Sequence, residues 1–216
     1  MMVVSAQELA VDPPTAAHRL LGAVLTSGPV ALRIVEVEAY GSDPAGPWPD
    51  PAAHSWPGPT ARNAVMFGPA GRLYVYRSYG IHLCVNVTGG YDGEAGAVLV
   101  RAAEVVAGID IARERRPAAR KDADLARGPG NVGSALGISM SDYGTELFDP
   151  FSALHLELKP PVPQSDIASG PRVGVSVAAE IPWRFWLPAS NAVSVYRRSS
   201  RASEPSGDSE RLRPQR

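Results

Sequence analysis

Residues 32–40 read LRIVEVEAY, a strand-length run that carries two carboxylates and ends in a tyrosine. Side chains alternate faces along a strand. The pattern therefore predicts Ile34, Glu36, Glu38 and Tyr40 on one face and Arg33, Val35, Val37 and Ala39 on the other. The second face reads as core. The first needs a reason, because a carboxylate on a half-buried strand costs free energy unless it is paired or used. An edge strand with both glutamates in water is the plainer reading of this run alone. Other residues that can do chemistry lie downstream: His54 in a Gly/Pro-rich loop, Tyr74 and Tyr76 at alternate positions, Tyr79 beside Gly80, and Arg101 inside the apolar run AVLVRAAE. An arginine in such a run must meet a carboxylate or reach an edge.

Several chemistries can be set aside. The four histidines are scattered, and His82 with Cys84 is too little for a metal site. No Gly-x-Ser-x-Gly nucleophile elbow is present. A sugar hydrolase needs carboxyl groups on opposite sides of the scissile bond, whereas Glu36 and Glu38 sit side by side. A tyrosine-lined pocket suits a flat, electron-poor ring, and aromatic faces attract cations. A purine with an extra alkyl group is cationic and leaves its sugar as a neutral base. Hydrolysis then needs a positioned water, a base to activate it, and negative charge near the oxocarbenium-like sugar, and one glutamate can supply both the base and the charge. Reaching a base inside a duplex requires flipping it out, with a wedge to fill the gap, and Tyr79 at a hairpin tip suits that purpose.

The elements that must position these groups can be read in order. Asp12-Pro13-Pro14-Thr15 caps a helix running to about Leu21, with Gly22 as its stop. A short strand over 23–26 and a Ser-Gly-Pro turn lead into the carboxylate strand. Residues 41–59 form a long loop, of the kind that is functional or disordered in a compact domain, and 60–67 reads as a short helix stopped by Gly68-Pro69. Residues 72–88 read as a β-hairpin, with Gly80 free to take the positive φ of the turn. Aromatic stripes of this kind are commonly core or edge packing, which fits Tyr74 and Tyr76 better than Tyr79. A strand over 97–104, a surface helix over 108–116 and a basic stretch over 117–121 follow. The Gly-rich sequence 127–131 then leads into a helix over 132–136, whose start can hold a phosphate or be a plain turn. A strand is predicted over 154–158 and a return to the core at 172–175 and 183–187. Residues 1–12 read as a flexible N-terminus, 13–198 as the domain and 199–216 as a disordered tail.

The 216 residues suit one domain, and Gly and Pro at 21 each argue against an all-helical fold. The expected class is α+β: a single compact domain with a curved, mostly antiparallel sheet and surrounding helices. A single cysteine excludes an internal disulfide framework, no apolar run reaches membrane-spanning length, and the first residues lack a secretion signal. A cytoplasmic protein is expected. The net charge of −1 is not the usual footprint of a DNA binder, although the basic side is nearly all arginine.

The pieces together resemble the methylpurine-DNA glycosylase family (alkyladenine, or 3-methyladenine, DNA glycosylase), in a bacterial form. The similarity runs over about 20–196, through LLGAVL, RIVEVEAY, DPAAHS, ARNAVMFGPAGRLYVYRSYGIHLCVNV, GAVLVRAAE, RGPGN, GPRVGV and PWRFW. The resemblance implies an enzyme without metal or organic cofactor that acts on double-stranded DNA carrying damaged purines, as a monomer with a protruding DNA-inserting hairpin. It implies Glu38 as the residue that activates water, with Arg101 and the backbone carbonyl of Val173 holding that water. Tyr40, His54 and Tyr76 would enclose the flipped base, Asn86 would crowd the amino group of normal guanine, Tyr74 would support the pocket, and Tyr79 would be the intercalating wedge. Glu36 receives no catalytic role. The loop from Tyr40 to His54 is longer than in mammalian members, by Gly46-Pro47-Trp48-Pro49. Gly58-Pro59 and Asn131 stand where those members carry basic DNA contacts, so phosphate contacts are assigned instead to Arg62, Arg77 and Arg120, with Gly128 and Asn131 at the Gly-rich loop.

Three alternatives remain open on the sequence: a non-catalytic module that recognises damaged nucleic acid, a glycosidase of free nucleosides, and a structural or partner-binding domain. Schiff-base chemistry needs an amine nucleophile, and the only lysines, Lys121 and Lys159, fall outside the motifs. A monofunctional glycosylase that leaves the abasic site uncut is therefore expected.

Overall fold

A computed structural model describes residues 6–202. It contains one antiparallel sheet of eight strands and three α-helices. The strands are β1 (Val24–Ser27), β2 (Val30–Tyr40), β3 (Leu73–Ser78), β4 (His82–Thr88), β5 (Ala97–Ala107), β6 (Leu154–Glu157), β7 (Ala168–Gly170) and β8 (Arg184–Trp186). Their order is β3-β4-β5-β2-β1-β6. One edge of β2 is shared: β1 pairs with its first residues and β8 with Glu36, Val37 and Glu38. The sheet forks there, curls, and brings a late segment of the chain against the carboxylates. This is the expected α+β class.

The helices are α1 (Pro13–Leu20), α2 (Ile109–Arg115) and α3 (Pro129–Leu136). The α1 cap is the expected one, with the Asp12 side chain accepting from the Thr15 amide at 2.9 Å and prolines opening the first turn. Ala16, Ala17 and Leu20 of α1, and Val132, Ala135 and Leu136 of α3, pack with one face of the sheet. That face presents Leu32, Ile34, Val37 and Ala39 of β2, Leu73 and Val75 of β3, Val85 and Val87 of β4, and Val98 and Val100 of β5.

Sequence and structure differ in four places. The helix predicted over 60–67 is only a 3-10 turn at Ala64–Phe67; Asn63 spends its side chain on the Thr60 amide and the His54 and Gly58 carbonyls, which holds the preceding residues in a loop. The helix predicted from Val132 starts at Pro129, because Gly128 at φ +95° turns the chain and proline is suited to a first turn. The segment expected to be loose over 1–12 contains a 3-10 turn at Ala6–Leu9 with Leu9 wholly buried, and residues 1–5 of it lie outside the described residues. The tail predicted from Ser199 also lies, from residue 203 onward, outside the described residues.

The fourth difference matters for the site. Ile34 does not share a face with Glu36. It is in the helix-covered core with Val37 and Ala39, while Val35 packs with Ala102 and Ala192 on the other side. The register explains this. Ile34 pairs with Ala103, Glu36 with Ala102 and Val37 with Val100, so Val35 is passed over on β2 and Arg101 on β5. Two compensating irregularities restore the register but flip the alternation of both strands together. A bulge re-aims side chains in this way, and here it turns Glu36, Glu38 and Arg101 to the same side.

Candidate active site

The face of the sheet away from the helices carries the polar and aromatic residues. A pocket of about 580 Å³ opens on it. Its walls include Glu38 and Tyr40 of β2, Tyr74 and Tyr76 of β3, Cys84 and Asn86 of β4, Ala97, Leu99 and Arg101 of β5, and His54 and Met66 from the loop between β2 and β3. Residues 173–177 and Pro129 complete the rim.

At the base of the pocket Glu38 is wholly buried. Three donors converge on its carboxylate: the Val173 amide on Oε1 at 2.6 Å, the Tyr40 hydroxyl on Oε2 at 2.9 Å and an Arg101 Nη at 3.3 Å. Burial, then the Glu38 charge, push the Tyr40 phenol well above its ordinary value, so it stays a donor. Arg101 has little exposure and spans both carboxylates, its Nε bonding Glu36 Oε1 at 3.0 Å. Glu36, also wholly buried, is saturated: it accepts in addition from Arg184 Nε at 2.7 Å, the Ser194 amide at 2.6 Å and the Ser194 hydroxyl at 2.8 Å. The two glutamates are therefore not equivalent. Glu36 holds arginines and does not line the pocket, whereas Glu38 faces it.

The aromatic wall is built from β3 and the His54 loop. Tyr74 and Tyr76 lie 5.7 Å apart with rings tilted by 30°, and His54 meets Tyr76 edge-on at 4.6 Å. His54 Nδ1 is 2.8 Å from the Tyr74 hydroxyl. Burial pushes the Tyr74 phenol up to about 12, so its O–H persists. Burial, and then the Arg62 charge, lower the His54 imidazole below 6.5, which leaves it neutral at pH 7. With Tyr74 as donor, Nδ1 accepts and Nε2 keeps its proton. The Asn86 amide group donates to the Tyr74 carbonyl at 3.1 Å, which fixes its side chain against the wall.

The long loop over 41–59 is ordered rather than free. The Asp50 carboxylate accepts from the Gly41 and Ala52 amides and pairs through both oxygens with Arg172, and both residues are wholly or almost wholly buried. Arg172 also bonds the Ala39 carbonyl at 3.0 Å and lies 4.7 Å from the centre of the Tyr40 ring and 5.5 Å from that of Trp183. Since Arg172 is absent from the pocket lining while Tyr40 is part of it, the guanidinium supports the ring from behind.

The hairpin tip projects. Ile81 donates its amide to the Ser78 carbonyl at 3.0 Å, with Tyr79 at φ +49° and Gly80 at φ +71° between them. Tyr79 is 94% exposed yet lies on the pocket rim, and Ile81 beside it is also exposed. Positive φ at both central positions gives the twist that suits a hairpin, and for tyrosine it is a strained conformation.

The sequence-predicted residues thus fall into two groups. Glu38, Tyr40, His54, Tyr74, Tyr76, Tyr79, Asn86, Arg101 and Val173 all line one pocket. Of the phosphate candidates, Arg62 lies 5.8 Å over the Tyr76 ring and Arg77 is exposed on β3. Gly128 caps α3 at the rim, but Pro129 has no N–H, and the Asn131 and Val132 amides are both taken by the Gly128 carbonyl. The Asn131 side chain bonds the Arg127 carbonyl. Arg120 sits apart, in a cleft with Arg113, Arg116 and Lys121. Sequence reasoning missed Asp50, Arg172, Arg184 and Ser194. The first three fall inside or beside the quoted motifs, whereas Ser194 gave no signal. Among the described residues no three of His, Cys, Asp or Glu gather as a metal-binding group, and no helix is long and apolar enough to cross a membrane.

A family model described as methylpurine-DNA glycosylase matches residues 7–191. A Nocardia farcinica protein provisionally named 3-methyladenine DNA glycosylase is 70% identical over 202 residues, covering 94% of this chain and 95% of its own. Two relatives with the same provisional name, from Mycobacterium sp. strain KMS and Mycobacterium leprae strain TN, are 57% identical over 205 residues and 56% over 202. They are covered over 99% and 93% of their lengths, and cover 95% and 94% of this chain.

Proposed function

The chain belongs to the methylpurine-DNA glycosylase family, and from that premise we propose that it frees alkylated, and also deaminated, purines from double-stranded DNA by flipping the base into the tyrosine-lined pocket and hydrolysing its N-glycosidic bond with a water activated by Glu38. The enzyme class is that of a hydrolytic DNA N-glycosylase. The observation that carries the mechanism is the buried Glu38 carboxylate at the base of the pocket, with Arg101 and Val173 against it.

In this reading the damaged base stacks between Tyr40 on one side and His54 and Tyr76 on the other. Tyr79 enters the duplex and fills the place the base left. Water attacks the sugar C1′ while the N-glycosidic bond breaks. The bonding electron pair leaves with the purine, which neutralises the positive charge of an N-alkylated base. The water proton passes to Glu38, and the carboxylate offsets positive charge on the sugar as it develops. Arg101 and the Val173 carbonyl hold the water. A neutral deaminated base leaves as an anion that takes its proton from solvent, and the neutral His54 side chain, which lines the pocket, stabilises it by a hydrogen bond without giving up a proton.

Asn86, fixed by its bond to the Tyr74 carbonyl, bars the 2-amino group of normal guanine. Arg62 and Arg77 meet DNA phosphates beside the lesion. The enzyme works as a monomer in the cytoplasm, where bacterial DNA lies, and leaves the abasic site uncut. Borohydride added during the reaction is expected to trap no protein–DNA adduct, and an adduct at an internal lysine would overturn the monofunctional assignment. The test of the main reading is base release by Glu38→Gln from duplexes carrying each lesion, which is expected to collapse for all of them.

A further inference from the structure

We infer that Ser194 is a positioning residue for the reaction: through Glu36 it aims the Arg101 guanidinium at Glu38, making the segment after β8 part of the catalytic machinery. The inference rests on the proposed roles of Glu38 and Arg101.

Arg101 is set at the paired irregularity of β2 and β5, where its backbone is passed over in the ladder. The strands alone do not fix where its long side chain points. Two groups do. Its Nε bonds Glu36 Oε1 at 3.0 Å and one Nη lies 3.3 Å from the Ser194 hydroxyl, leaving the other Nη for Glu38. Glu36 is held in turn. Ser194 donates its amide to Oε2 at 2.6 Å and its hydroxyl to Oε1 at 2.8 Å, and Arg184 donates to Oε1 at 2.7 Å. Arg184 also bonds the Ser194 carbonyl at 2.8 Å. Ser194 therefore uses its N–H, C=O and hydroxyl in one network. Nearby, Ala192 packs with Val35, the passed-over residue of β2, and with Ala102, the neighbour of the passed-over Arg101 on β5.

The arrangement has a specific consequence. Glu36 is surrounded by donors on both oxygens and is absent from the pocket lining, so it touches neither base nor water. Its effect on the reaction runs through Arg101. The Ser194 hydroxyl is the mildest place to loosen that aim, because its removal changes no charge and leaves the amide on Glu36 intact. Glu36→Gln is a harsher change, since two buried arginines would then share a neutral partner.

Single-turnover base release from a duplex carrying an alkylated purine, with the intact chain, tests the inference. Ser194→Ala is expected to slow the rate at saturating enzyme about 10- to 100-fold, the scale of a small misplacement of a reacting group, with an unchanged half-saturating concentration and an unchanged melting temperature. Ser194→Thr, which keeps the hydroxyl, is expected to recover most of the rate. A wild-type rate in Ser194→Ala would overturn the inference, as would a loss that only follows a fall in melting temperature or that threonine fails to rescue. If Glu38→Gln in the same assay keeps its rate, the underlying mechanism fails; if it is inactive while Ser194→Ala is normal, only the positioning role fails.

Discussion

Glu36 and Glu38 are both wholly buried, two residues apart, yet their surroundings divide the work between them. Glu36 is consumed by four donors, two of them from arginines. Glu38 keeps one side toward the pocket. The same division applies to the aromatic wall, where the protonated Tyr74 fixes a neutral His54. A histidine held below 6.5 contributes its full stability above that pH, where folded and unfolded imidazoles are both neutral. It loses that contribution as the pH falls from 6.5 through the folded value. The His54 ring resonances are accordingly expected to titrate below 6.5. Arg62→Ala should raise the midpoint without restoring 6.5, because burial is the larger cause. A His54 midpoint above 6.5 in the unaltered protein would contradict this placement.

The hairpin and the long loop show how elements serve the pocket. Tyrosine at φ +49° is strained by roughly 1–2 kcal/mol in a left-handed conformation, and its side chain has no burial in return. Replacing Tyr79 with Asn, which tolerates such a conformation and suits the turn before glycine, is expected to leave the melting temperature unchanged or raise it slightly while base release from duplex DNA falls. A variant that melts lower and retains duplex activity would show that the tyrosine serves the fold. The loop over 41–59 depends on the buried Asp50–Arg172 pair. Asp50→Ala strands a buried guanidinium and is expected to cost about 3–5 kcal/mol in urea unfolding, together with loss of the pocket.

The hairpin was legible because alternation and Gly80 are local signals. The faces of β2 were not wholly legible, since the irregularity at Val35 depends on β5, about 65 residues away along the chain at the Glu36–Arg101 contact. The two ion-pair networks were still less so. Arg172 meets Asp50 across 122 residues and Ser194 meets Glu36 across 158, and no spacing rule connects such partners. That Arg101 meets a carboxylate was readable because an arginine in an apolar strand demands one, and the resemblance singled out Glu38 over Glu36; the fold adds that Arg101 bonds both and that four donors hold Glu36.

At the scale of the whole molecule, a net charge of −1 means that DNA binding must come from a local face rather than the overall field. Arg77 is exposed on the strand leading to the tip, and among the described residues no ion pair is seen for it. Arg77→Ala is expected to weaken duplex binding by a similar factor on damaged and undamaged DNA and to reduce the slope of log affinity against log salt by about one, as for one lost phosphate contact. Arg120, in its separate cleft, is expected to matter less. The sheet places its helix-packed core on one face and the pocket on the other, with Tyr79 on the pocket rim, while Arg77, which alternates with Tyr76 and Ser78, leaves β3 on the opposite face near the hairpin tip. Water activation by Glu38 is tested most directly by single-turnover base release with Glu38→Gln on a duplex containing an alkylated purine. The rate is expected to fall about 10²–10⁴-fold, the range for loss of a general base, with duplex binding retained; a rate equal to that of the unaltered enzyme would contradict the role of Glu38.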